Sequence, residues 1–131
     1  MPGMLVYCCQ DLIFATKIRS TAEALGAPSR PARDADALRN RLEQVDDGRA
    51  NGPVTAVFVD LELGPVGLEL IRQAKAHDDA LAVVAFGSHV AAELLQQGQQ
   101  HGADFVMPGS MFSRTLPALI ERYADADEQA E

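Results

Sequence analysis

Two rhythms of apolar residues alternate along the chain. Short apolar-rich runs occur at 4–9, 54–60, 81–86 and 104–107, and between them apolar residues return every three or four positions. The first rhythm predicts strands and the second helices with one buried face. The most apolar run, Val54-Thr55-Ala56-Val57-Phe58-Val59, is rich in β-branched residues. It reads as a strand buried on both faces of a parallel sheet.

Five strand–helix units follow. Strands are expected over 4–9, 29–33, 54–60, 81–86 and 104–107, and helices over 11–25, 36–44, 66–76, 89–100 and 113–124. Phe14, Ile18, Ala22 and Leu25 share one face of the first helix. Gly26 is placed to stop that helix, with Pro28 beyond it. Pro28 and Pro31 cannot donate to a ladder, so the second strand belongs at a sheet edge. Asp46 to Pro53 is a turn-rich loop. Ser88 can cap the fourth helix, and Pro117 fits the fifth only within its first turn. Strict β–α alternation implies a parallel sheet with right-handed crossovers. The expected fold is therefore a single doubly wound five-stranded α/β sheet of order 2-1-3-4-5, flavodoxin-like, with an edge position for the prolines.

The 131 residues, 47% hydrophobic, suffice for one domain over 1–124 with a real core. The acidic tail 125–131 is expected to fray. No apolar run approaches the ~20 residues of a membrane span. The segment Met1-Pro2-Gly3-Met4 lacks a basic n-region, so no signal peptide and a cytoplasmic location are expected. A net charge of −8 argues against nucleic acid. Arg30, Arg33, Arg39, Arg41 and Arg49 are interleaved with Asp34, Asp36, Glu43, Asp46 and Asp47, which reads as a solvated mixed-charge face. Cys8 and Cys9 are adjacent, so a strand sends them to opposite faces as reduced core thiols.

Asp60 ends the apolar third strand. Open α/β sheets build their sites in the crevice beyond their strand ends. The loop Cys9-Gln10-Asp11-Leu12-Ile13 has no Gly or Ser to cradle a flavin phosphate. An Asp-x-His-x-x-Gly cobalamin loop and a dinucleotide glycine fingerprint are both absent.

Asp60, its continuation Gly67-Leu68-Glu69-Leu70-Ile71, and Gly102-Ala103-Asp104 leading to Pro108 resemble a two-component receiver domain over roughly residues 4–123. The resemblance implies a phosphoacceptor at Asp60 and Mg²⁺ held by Asp60 with an acidic pair after strand 1. It further implies a hydroxyl at the end of strand 4 and a Lys before a Pro after strand 5, both binding phosphoryl oxygens. Such groups position and neutralise the transferring phosphoryl. Here Gln10 and Asp11 stand at the acidic pair, and Glu62 lies two residues beyond Asp60. Gly87 stands at the hydroxyl position with Ser88 next to it, and Met107 precedes Pro108 in place of the Lys.

The chain is accordingly expected to be a stand-alone pseudo-receiver signalling module, not an enzyme, with a degenerate phosphorylation site. Asp60 is then vestigial, and Asp11, Asp60 and Glu62 bind Mg²⁺ weakly, with no cofactor required. The alternative is a phosphorylatable single-domain response regulator using Asp60 with Mg²⁺. The resemblance places a protein partner or a second copy on the face made by helix 4, strand 5 and helix 5. The nearly uncharged helix 4 suits such a contact, with Met111 and Phe112 as candidate exposed anchors.

Overall fold

The computed structural model describes residues 3–43, 45–46, 49–50, 53–88 and 92–124. The elements run β1 (Met4–Cys8), α1 (Leu12–Ala24), β2 (Ser29–Pro31), α2 (Ala35–Leu42), β3 (Val54–Asp60), a 3₁₀ turn (Leu61–Leu63), α3 (Pro65–His77), β4 (Ala82–Gly87), α4 (Ala92–Gln100), β5 (Phe105–Pro108) and α5 (Gly109–Ala124). The strands form one parallel sheet of order β2-β1-β3-β4-β5. Val57 lies in the central strand, paired with Val6 and Val83. Pro31 lies in the edge strand opposite Tyr7, where its missing N–H leaves no interior gap.

The pleat divides the core into two layers. Val6, Cys8, Val57, Val59, Val83 and Ala85 face Leu38, Leu42, Leu70, Ile71 and Ala74 of α2 and α3. Leu5, Tyr7, Cys9, Phe58, Val84 and Phe86 face Ile18, Ala22, Phe112, Leu116 and Ile120 of α1 and α5. Cys8 and Cys9 are both free and buried in opposite layers, as strand alternation requires. Burial pushes the Cys8 thiol up to about 12. Burial and then the nearby Asp60 carboxylate push Cys9 up strongly. The second layer is knitted by aromatic rings. Phe86 stacks on Phe112 at 4.1 Å, and Phe58 meets Phe112 edge-on at 5.5 Å.

Local chemistry fixes the helix ends that point at the site. Asp11 caps α1, its carboxylate accepting from the Ile13 N–H at 2.8 Å. At the other end Gly26 has φ +74°, with Gly26 and Ala27 N–H donating to the Glu23 and Ala22 carbonyls. Gly64 (φ +67°, ψ −137°) then turns the chain into α3, with Pro65 opening that helix. At the opposite pole of the sheet, Lys75 Nζ donates to the Asp79 and Leu81 carbonyls and pairs with Asp104 at 3.0 Å. Asp104 also accepts from the Val83 N–H, tying the starts of β4 and β5 to the end of α3.

Four expectations are corrected. The helix expected over 113–124 begins at Gly109, directly after β5, because Phe112, Leu116 and Ile120 already form one buried stripe. Phe112 is therefore fully buried rather than a surface anchor, while Met111 is exposed. Pro117 sits inside α5, not in its first turn, and is tolerated on the exposed side. Leu25 is exposed at the cap of α1, one position past its last helical turn. The turn-rich stretch after α2 carries a short antiparallel ladder, Val45–Asp46 against Arg49–Ala50. The expected start of α4 at His89 and the acidic tail lie outside the described residues.

Candidate functional site

Asp60 ends β3 at the carboxyl pole of the sheet. It is the one charged residue buried among the described residues, 2% exposed. Its carboxylate is held by main chain. Oδ1 accepts from the Glu62 N–H at 2.9 Å, and Oδ2 accepts from Gln10 N–H at 3.2 Å and Asp11 N–H at 3.4 Å. Three such donors compensate the desolvation of a buried carboxylate. The 3₁₀ turn supplies the Glu62 N–H, and the loop from β1 to α1 supplies the other two.

A cleft of about 360 Å³ opens above Asp60. Asp11 and Glu62 line it with Asp60, Phe14 and Phe86 form an aromatic wall with rings 4.9 Å apart, and Gly87, Ser88, Gly109 and Ser110 complete it. Asp11, Asp60 and Glu62 thus share one cleft, as do Gly87 and Ser88. They do not form a metal cage: among the described residues no three His, Cys, Asp or Glu side chains gather to hold an ion. Asp11 directs one oxygen to the α1 cap. No Lys or Arg is among the described residues that line the cleft.

Met107 precedes Pro108 at the sequence position of the receiver Lys and is not among the residues that line the cleft. Its side chain is buried in the α1–α5 layer, on the same sheet face as its paired neighbour Phe86, with its sulfur 3.8 Å from the Thr115 hydroxyl. The residue paired with Gly87 at the strand end is Pro108. Gly87 itself is enclosed. A Cβ there would lie 3.3 Å from Leu61 Cβ and 3.6 Å from Leu95 Cδ2.

Sequence reasoning missed Phe14 as a cleft residue, because its helical spacing reads as ordinary core. It also missed Gly109 and Ser110, which read as loop. Their connection is close packing: a Cβ on Gly109 would come within 2.9 Å of Phe14 Cζ. Glycine at 109 is what allows the Phe14 ring to lie against the start of α5.

The sequence matches no family model and no curated protein. Solved structures do resemble the fold. A response regulator from Thermotoga maritima superposes with a TM-score of 0.72 at 16% identity, covering 95% of this chain and 99% of that one. A CheY-like response regulator receiver domain protein from Methanospirillum hungatei gives 0.74 at 16% identity over the full length of both chains. The receiver domain of NtrX from Brucella abortus gives 0.70 at 22% identity, covering 93% and 98%. No helix among the described residues is long and apolar enough to cross a membrane. The chain has the CheY-like, flavodoxin-like fold of response regulator receiver domains.

Proposed function

We propose that the chain is a receiver-fold signalling module that acts by binding a protein partner, with Asp60 serving as a structural carboxylate instead of a phosphoacceptor. The observation that carries this reading is the environment of Asp60. Both of its oxygens accept from backbone N–H groups, and its open side is lined by Asp11, Glu62, two phenylalanines, two glycines and two serines, with no Lys or Arg among them. A phosphoryl group arriving there brings further negative charge beside Asp11 and Glu62. Asp11 and Glu62 are exposed, so the repulsion they add is about 1 kcal/mol or less, but no Lys or Arg among the described residues lines the cleft to offset it. Phosphoryl transfer needs the reverse, cations and hydroxyls aimed at the transferring oxygens.

The face of α4, β5 and α5 supports the partner-binding side of the proposal. α4 carries one charged residue, Glu93, among amides and half-buried Leu94 and Leu95. Phe105 at the start of β5 is 43% exposed, with the Arg122 guanidinium 5.8 Å from its ring. Aromatic and Arg groups beside a charge-poor helix suit a protein contact. The net charge of −8 disfavours nucleic acid as the partner.

Titration with beryllofluoride and Mg²⁺, followed by ¹H–¹⁵N correlation spectra, tests the Asp60 assignment. The amides of Gln10, Asp11 and Glu62 are expected to stay in place. Saturable shifts at those amides that spread into α4 and α5 would overturn the reading and favour a phosphorylatable response regulator.

A further inference from the structure

We propose that the hollow between α1 and the edge strand β2 is a binding site for a small oxyanion, a phosphate ion or phosphate monoester. The hollow has a volume of about 140 Å³, which is the scale of one phosphate group rather than of a nucleotide. Its α1 wall consists of Leu12, Ala15, Thr16 and Arg19, spaced as one helix face. Pro31 and Arg33 form the wall opposite, and Tyr7 and Cys9 form the floor.

Two guanidiniums, Arg19 and Arg33, line this one hollow. Arg39 pairs with Asp36 and Arg72 with Glu69, Arg122 lies over the Phe105 and Tyr123 rings, and Arg114 stands by itself on α5 among the described residues, so the hollow differs in bringing two guanidiniums to one concavity. Arg19 and Arg33 have neither an ion pair nor a hydrogen bond among the described residues. In a chain with 19 acidic residues against 11 basic ones, two unpaired guanidiniums line the same concavity. Guanidinium groups present forked donors that match phosphate oxygens. Thr16 and Tyr7, which also line the hollow, carry hydroxyl groups able to donate. The apolar surfaces of Leu12, Ala15 and Pro31 reduce competition from water.

This inference does not depend on the role of Asp60. Amide spectra of the full chain, recorded during titration with inorganic phosphate at ionic strength held constant with chloride, test it. Saturable shifts are expected at Leu12, Thr16, Arg19 and Arg33, with a dissociation constant in the millimolar range or below. Arg19→Gln and Arg33→Gln are each expected to weaken binding about tenfold, and the double variant to abolish it. Arg72→Gln, an exposed control, leaves it unchanged, and far-UV circular dichroism verifies that each variant folds. A parallel titration with O-phosphoserine separates the sources. Equal or tighter binding assigns the site to phosphate carried on a side chain, and weaker binding assigns it to the free ion. Shifts that never saturate, or that persist in the Arg19→Gln/Arg33→Gln double variant, would overturn the proposal.

Discussion

Replacing Asp60 by Asn keeps the size of the side chain and removes one acceptor and the charge. In the native protein Oδ1 receives one backbone N–H and Oδ2 receives two. An Asn side chain keeps a single oxygen. It satisfies either Glu62 or the Gln10–Asp11 pair and turns an NH₂ group toward the donors it abandons. A hydrogen bond to a charged acceptor contributes about 1.5–3 kcal/mol, and the two bonds to Oδ2, at 3.2 and 3.4 Å, belong at the weak end. The loss is therefore about 2–4 kcal/mol. Against it stands relief of repulsion from Asp11 and Glu62. Both are exposed, so this relief is about 1 kcal/mol or less. The net expectation is destabilisation by about 1–3 kcal/mol. Urea unfolding at neutral pH, followed by circular dichroism, reads it as a lower midpoint at an unchanged slope. In an acidic pocket dominated by mutual repulsion, the same substitution would raise the midpoint. A midpoint that is higher or unchanged in Asp60→Asn would refute the structural role assigned to this carboxylate.

Three further outcomes follow from other parts of the molecule. Gly64→Ala places a Cβ in open space but at φ +67° and ψ −137°, so it should cost about 1–3 kcal/mol through backbone strain alone, measured by the same unfolding assay. Lys75→Met removes a cation that holds two carbonyls and Asp104, and should destabilise by about 2–3 kcal/mol, with faster hydrogen exchange at the start of β4, including Val83. The Cys8 thiol, raised from 9.0 to about 12 by burial, stays protonated in the folded chain while the unfolded chain ionises. Its contribution is fully present below pH 9 and is lost between pH 9 and about 12. The loss is up to about 4 kcal/mol, so Cys8→Ala should show a shallower fall in stability across that range.

Much of the fold was legible because elementary constraints acted alone. The β-branched run at 54–59 placed the central strand, and the prolines at 28 and 31 placed the edge. Gly26 marked the end of α1 because the left-handed turn there favours glycine. The site was less legible. Asp11 reads equally as a metal carboxylate and as a helix cap, and the position before Leu12 and Ile13 made it a cap. Met107 occupies the expected place when counted along the chain, but counting does not show that its sulfur packs beside Thr115 within the α1–α5 layer. At Pro108-Gly109-Ser110 the turn-forming composition concealed a helix whose buried stripe begins at Phe112. Packing of Phe14 against Gly109 is a contact between residues 95 positions apart, and no local pattern announces it.

The central claim concerns whether Asp60 takes a phosphoryl group. Incubating the protein with acetyl phosphate and Mg²⁺ and measuring intact mass tests it directly, with Asp60→Asn as the control. The account predicts an essentially unmodified mass, because Ser88 and Ser110 bring hydroxyls to the cleft but no Lys or Arg among the described residues lines it to neutralise the transferring charge. Stoichiometric addition of one phosphoryl group, lost in Asp60→Asn, would contradict it.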